Sequence, residues 1–533
     1  MCDEKTLPFS RPGAPNVRTH ASRGRQTAYT AHVDQPKQAE APPRPLPPAE
    51  DPAAAPQAEP GAPAVPGPLG ALFHSPYDDS IARVAAPALL ALAADPLLSL
   101  VDTAFAGHLG TDALAAVGVN SAFGLILVFN CLGTTITPLV AAAMAEGRPE
   151  RAARAVWQAG AVALALGVAI SASLLHWSAD VLQSLGANPA DAATFAMAED
   201  FFRWRALSAP AVLLAIVGQG AFRGVADMKT PLRIVLFTNA LNLAGDYLFL
   251  VHLNTGVSGA AVATTCAEWT AALAYLYYLT AGGGVSADTG KEGEAAAPRL
   301  SLWPPPPAPC GGDELAEMGA LAAGGAAVLL RTSLLLGTKT AATVAATRLG
   351  PVPVAAHQVV TQLWTLSSLM CDSLAVSAQS LVAASLGQGD FGTARGISQR
   401  LMQLGVGLGA VMAGGLAFTS PVLPGLFTDD PATAAAISSI LPIAILSLPV
   451  NCSAYVLDGI MVAAREYIFM AGAAAVAGAA TLAALASAEE AGMGLQGVWV
   501  AMVTLMVCRA ASLMWRALAP DSPLRDRPRA DEE

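Results

Sequence analysis

Uninterrupted apolar runs of about twenty residues recur along this chain, separated by short polar turns. At about 1.5 Å of rise per residue, a helix of that length crosses the hydrocarbon of a bilayer. The runs are continuous and rich in Ala and Leu, without the alternation of barrel strands. They predict an all-α polytopic membrane protein. Helices are expected near 79–106, 113–145, 154–177, 199–222, 231–252 and 256–280. Six more are expected near 316–348, 353–387, 395–419, 435–461, 467–487 and 494–518.

The pattern lapses in three places. Residues 1–76 are so rich in Pro, Ala and Gly that they cannot bury a core, which predicts a disordered N-terminal tail. Residues 281–314 contain "WPPPPAPCGG" and read as a linker; residues 519–533 form a second disordered tail. Between them lie two blocks, 77–280 and 315–518, each with six predicted spans. The blocks are copies. "LVAAAMAEGRPERAAR" from Leu139 echoes "LVAASLGQGDFGTAR" from Leu381, an offset of 381−139 = 242. Pro189 in "GANPADA" matches Pro431 in "FTDDPATA", again 242. "LSAPAVLLAIVGQG" from Leu207 echoes "LSLPVNCSAYVLDG" from Leu446, an offset of 239. Three matches in one order at one period mark a duplication. An even number of spans gives both copies the same orientation, so twelve helices are expected in two parallel-repeat six-helix lobes. Two such lobes with a cleft between them are a transporter architecture.

Charge orients the bundle. Arg148, Arg151, Arg154, Arg223, Lys229, Arg233, Arg395, Arg400 and Arg465 follow even-numbered spans, whereas Asp180, Asp191, Asp429, Asp430, Glu489 and Glu490 follow odd ones. Both termini and the linker are therefore expected on the cytosolic or stromal side. Arg203, Arg205 and Arg348 are exceptions on the outer side. Only 13% of the 533 residues are charged, against roughly 25% in soluble proteins. The net charge of −11 is spread over tails and loops and implies no nucleic-acid surface. Seven scattered cysteines without a CxxC pair suggest neither a disulfide framework nor a zinc site. No paired His ligands, P-loop or nucleophile elbow occur, so neither catalysis nor a metal or cofactor is expected. Arg11, Arg18, Arg23 and Arg25 give the N-terminus a weak likeness to an organelle transit peptide; a cytosolic tail is the plainer reading.

Against this apolar background a few polar side chains stand out. An ionised carboxylate at the bilayer centre costs roughly 2.5–3.5 kcal/mol or more, so it persists only inside a bundle or facing water. Asp95, Ser99 and Asp102 are spaced i, i+4, i+7 on the first span, and Asn239, Asn242 and Asp246 are spaced i, i+3, i+7 on the fifth. Both spans run outward, and both terminal acids lie roughly 8–9 Å below the outer end. Two carboxylates brought together at low dielectric cannot both ionise cheaply. That arrangement predicts a coupling-ion site of Asp102, Asp246, Asn242, Asn239 and Asp95. An acid capping an outer helix end is the alternative. In the second block Asp372, Asp458, Arg331 and Lys339 fall within apolar runs. They read either as the lining of a substrate cleft, a second ion site, or a buried ion pair of Asp372 or Asp458 with Arg331 or Lys339. Gln358 and Gln362, about one turn apart, read as cleft-facing hydrogen-bonders or as interhelical packing. His108 and His252 fall near outer loops.

Several stretches resemble the multidrug and toxic compound extrusion (MATE) family of secondary transporters, over about residues 78–518. They are "DPLLSLVDTAFAGHLGTDALAAVGV", "GQGAFRGVADMKTPL" with "NALNLAGDYLFL", and "AATRLGPVPVAAHQVVTQLWTLSSLMCDSLAVSAQSLVAASLGQGD". The last looks like the branch holding plant organic-anion exporters (DETOXIFICATION-like) and bacterial DNA-damage-inducible F-like proteins. The resemblance implies an antiporter that exports a small organic solute, an organic anion such as citrate or a xenobiotic, in exchange for H+ or Na+ by alternating access. It implies coupling acids at Asp102 and Asp246 with Asn242 beside them, in a monomer of the plasma membrane or an organelle membrane such as the chloroplast envelope. A lipid-linked precursor flippase of related fold is the rival, but Arg331 and Lys339 are the only obvious cations for its pyrophosphate.

Overall fold

A computed structural model of the chain describes residues 75–108, 131–184, 192–253, 255–280, 300–304, 312–428 and 430–525; the side chains of 95–108 lie outside that description. Fifteen helices are described: α1 (Asp78–His108), α2 (Cys131–Ala145), α3 (Pro149–His176), α4 (Ser178–Ser184), α5 (Ala192–Ala206), α6 (Ala209–Gly224), α7 (Lys229–Asp246), α8 (Val257–Thr280), α9 (Gly312–Arg348), α10 (Pro351–Gly387), α11 (Phe391–Thr419), α12 (Leu423–Phe427), α13 (Pro431–Ala463), α14 (Tyr467–Glu490) and α15 (Gly494–Leu518). Helices α3, α10, α11, α13, α14 and α15 are each long and apolar enough to cross a bilayer. The predicted 113–130 stretch lies outside the described residues.

Two expectations about helix continuity fail locally. The predicted helix 199–222 is broken into α5 and α6, bent by 43°. Pro210 stands at the start of α6, where it lacks an N–H and crowds the carbonyl one turn back. The predicted helix 231–252 changes character after Asp246: residues Tyr247–His252 form a π-helical turn. The linker also differs from a uniformly polar segment. Leu300 and Leu302 are buried among first-half residues, the Leu302 amide donates to the Leu279 carbonyl, and the Trp157 indole donates to the Leu302 carbonyl at 3.0 Å.

The duplication reappears as matched contacts. In lipid, helices gain little by hiding apolar surface from one another, so close backbone approach at small residues carries the packing. A β-carbon on Gly220 of α6 would lie 2.8 Å from the Gly133 carbonyl oxygen of α2. One on Gly459 of α13 would lie 2.4 Å from the Ala375 carbonyl oxygen of α10. These partners are offset by 459−220 = 239 and 375−133 = 242. Likewise Gly167 of α3 abuts Pro210 of α6 and Gly409 of α11 abuts Pro449 of α13, offset by 409−167 = 242 and 449−210 = 239. The offsets are those of the sequence repeat, so α2, α3 and α6 meet in the register of α10, α11 and α13.

Contacts between the halves gather at the end that carries the Arg-rich loops. Arg400, placed in a loop by the sequence reading, lies inside α11 and grips Asp78 of α1 with one guanidinium edge, Nε and Nη2 donating to the two carboxylate oxygens at 2.6 and 2.8 Å. The Tyr77 ring covers Gly396, and Gly387 of α10 sits against the Ala142 backbone of α2. Ser380 donates to the Arg223 carbonyl. One core cluster joins Ile81, Cys131 and Ala141 of the first half to Val328, Leu401 and Val456 of the second. Of the three arginines that the charge reading left as exceptions, two are paired, Arg205 with Glu268 at 2.6 Å and Arg203 with Glu199 at 3.0 Å.

Overpacking a close helix contact costs roughly 1–3 kcal/mol or more. Gly459→Val and Gly220→Val should each lower the thermal midpoint of the purified protein by several degrees. Gly472→Ala, where a β-carbon meets nothing within 4 Å, should not. A second expectation concerns Asp430, the N-cap of α13. Its carboxylate accepts from the Thr433 hydroxyl and amide, which hold it below the usual carboxylate range. Its contribution to the cap is therefore complete above the ordinary Asp range and fades as pH falls through the lowered value. Hydrogen exchange at the Thr433 amide should quicken on such acidification, and at neutral pH in Asp430→Ala.

Candidate functional site

Helix α7 shows how the first-half site is built. Its Leu236, Phe237, Leu241 and Leu243 are exposed, whereas Thr238, Asn242 and Asp246, spaced i, i+4, i+8, are buried. The polar stripe therefore faces neighbouring helices, and α7 packs along α1 and α8. Gly245 lets the α8 backbone come close at Ala263. The Asn242 amide donates to Thr264 of α8 at 3.1 Å, and its carbonyl oxygen, also buried, has no partner among the described residues. Asn239 is half-buried on the same helix. Asp95 and Asp102 lie on α1, one of the two helices against that stripe; their side chains lie outside the described residues. The π-helical turn begins at the residue after Asp246. Such turns widen the helix locally and recur at functional sites. Nothing in the apolar pattern announces it.

In the second half the acids sit among arginines. Asp458 of α13 accepts from Arg331 of α9 and from Arg509 of α15. Both Asp458 and Arg509 are buried, and Arg331 retains 14% of its side-chain exposure. Arg509 also lies over the Tyr455 ring at 5.5 Å. Of the two pairings considered for Asp458, Arg331 holds and Lys339 does not: the Lys339 ammonium rests over the Trp364 ring at 4.7 Å. Asp372 of α10, half-buried, interacts electrostatically with Arg223, Asp458, Arg331 and Arg509. Arg223 was read as a loop cation; it belongs to α6 and is half-buried, with a hydrogen bond to Gln219. The cluster thus draws on α6, α9, α10, α13 and α15. Gln358 and Gln362 are exposed, with no hydrogen bond among the described residues.

Several residues escaped the sequence reading. Arg509 had a signal, being a lone cation inside the apolar run 494–518, but no feature of the sequence ties it to Asp458. His357 is buried on α10, bonded through Nε2 to Thr343 and set edge-on to Trp499, while Nδ1 has no partner among the described residues. Contrary to the reading of the cysteines as unpaired, Cys371 of α10 and Cys452 of α13 are joined in a disulfide with Cα atoms 5.1 Å apart. The 81-residue separation hides it from any local motif; the close crossing at Gly459 and Ala375 is what brings the two helices together. Beside it the Asn451 amide donates to Ser368.

A family model described as MatE matches the chain twice, over residues 87–248 and 328–486, an offset of 328−87 = 241 that agrees with the internal repeat. Protein DETOXIFICATION 44, chloroplastic, of Arabidopsis thaliana is 35% identical over 455 residues, covering 82% of this chain and 81% of that protein. DETOXIFICATION 43 of the same plant is 29% identical over 504 residues, covering 84% and 91%. DNA damage-inducible protein F of Escherichia coli (strain K12) is 31% identical over 200 residues, covering 37% and 43%. Among solved structures, one described as MATE in the straight conformation aligns with a TM-score of 0.71 at 19% identity, covering 84% of this chain and 96% of that one. A MOP superfamily transporter from Pyrococcus furiosus, described as having a binding pocket of reverse polarity, aligns with a TM-score of 0.70 at 19% identity over the same shares.

Removing one partner from a buried ion pair costs roughly 3–5 kcal/mol, because the other charge is stranded. Asp458→Ala strands two guanidiniums and should lower the thermal midpoint markedly. Arg331→Gln leaves a neutral Asp458–Arg509 pair and should cost clearly less. Unfolding monitored by intrinsic fluorescence in detergent ranks the two.

Proposed function

The chain belongs to the MatE family, and on that premise we propose that it is a secondary active antiporter of an organelle membrane or the plasma membrane. In this reading it exports a small organic solute in exchange for H+ or Na+, by alternating access of two six-helix lobes, 77–280 and 315–518. The observation that carries the reading is the buried Asn242 and Asp246 on α7, facing the helix that bears Asp102. Carboxylates converging inside a bundle titrate as a pair, so taking up a proton or a sodium ion changes the charge of the whole site. Asn242, whose amide is committed to Thr264, keeps a carbonyl oxygen to accept the acid proton or to ligate sodium. Asn239 extends the polar stripe, and Asp95, about 10 Å deeper on α1, is a weaker helper.

Closure of the Arg-bearing end by Asp78–Arg400, Tyr77–Gly396 and Ala142–Gly387 supports an outward-facing state, with the cleft shut from the cytosol or stroma. The cargo we favour is an organic anion such as citrate, carried by a monomer. The arginine-rich surroundings of Asp372 and Asp458 support it, with Gln358 and Gln362 as further cleft lining. The chloroplastic designation of DETOXIFICATION 44 supports an envelope membrane as the location.

Asp246→Asn and Asp102→Asn keep size and hydrogen bonding but remove the titratable charge. In proteoliposomes under an imposed pH or sodium gradient, each should reduce gradient-driven transport at least about tenfold, and Asp95→Asn should only weaken it. Wild-type transport by Asp246→Asn would move the coupling site elsewhere.

A further inference from the structure

We propose that Arg331, Asp458 and Arg509 form an anion subsite, in which Arg331 takes a carboxylate of the cargo. Two guanidiniums share one carboxylate, so the triad carries 2−1 = +1. Asp372 and Arg223 lie in its field and cancel each other, leaving the five-residue cluster at 3−2 = +1. An unbalanced charge inside a membrane protein is costly unless an opposite charge joins it. The triad also divides the labour. Arg509, buried and packed over Tyr455, is the fixed counter-cation of Asp458. Arg331 spends one nitrogen on Asp458, and its other N–H groups have no partner among the described residues. It is the more exposed of the two arginines, at 14% against 6%. A guanidinium held from one side presents its remaining edge to a planar oxyanion, which matches a carboxylate fork to fork. Asp458 is then a positioning residue, and Arg331 the group that selects anionic cargo over cationic.

This rests on the reading of the chain as an exporter of a small solute, and is tested by equilibrium binding with no gradient imposed. The full-length chain, purified in nanodiscs, is titrated with radiolabelled citrate. Malate and a phenolic acid compete for the site, and a cationic dye is titrated in parallel. Wild type should bind citrate, and Arg331→Gln should weaken it by about tenfold or more without weakening the dye. Arg331→Lys, which keeps the charge but loses the fork, should fall between. If Arg331→Gln does not fold, Arg331→Gln/Asp458→Asn keeps Arg509 and should show the same loss. A loss smaller than tenfold, preference of wild type for the dye, or no anion binding at all overturns the proposal. Binding is measured without a gradient, whereas the coupling assignment is read from gradient-driven transport, so a failure of the one and a failure of the other remain distinguishable.

Discussion

Close approach of helix backbones at small residues is the constraint on which this structure depends. In water, burial of leucines would draw helices together; in lipid that gain nearly vanishes. The substitute is shape. Gly220 lets α6 lie on Gly133, Gly459 lets α13 lie on Ala375, and Gly167 and Gly409 accept the backbones of Pro210 and Pro449. Where α10 and α13 cross this tightly, Cys371 can bond Cys452, Asn451 can reach Ser368, and Asp372 and Asp458 come within each other's field. The functional residues therefore inherit their positions from residues that have no side chain to contribute.

The two copies share a frame but not a chemistry. In the first half the buried acid of α7 shares its helix face with a hydroxyl and an amide, Thr238 and Asn242. In the second half the buried acid of α13 is engaged by two guanidiniums. A carboxylate shared by two arginines cannot be neutralised without leaving both unpaired.

Much of this was legible in the chain. Twenty-residue apolar runs and the buried positions of Asn242 and Asp246 on one face of α7 follow from helix periodicity, and the 242/239 offset from direct comparison of the two blocks. The helix bounds observed for α8, α10, α11, α14 and α15 differ from the expected ones by a few residues. What stayed hidden depends on partners far apart in sequence. Arg509 meets Asp458 across 51 residues, Arg400 meets Asp78 across 322, and Cys371 meets Cys452 across 81. Charge counting assigned Arg223 and Arg400 to loops because a cation near the end of an apolar run looks solvated until the neighbouring helix is known. The 43° bend at Pro210 had a visible cause in the proline, yet its copy Pro449 lies inside the continuous α13, so the proline alone does not decide the outcome.

The burial of Leu300 and Leu302 ties residues 300–304 of the segment between the two copies to the first one. Counted from composition, that segment is 281–314; from residue 304 to the start of α9 at Gly312 the chain advances eight residues. Eight residues of fully extended chain reach at most about 29 Å. That length bounds the covalent tether from the anchor beside Trp157 and Leu279 to the first residue of α9, whatever the two copies do around it.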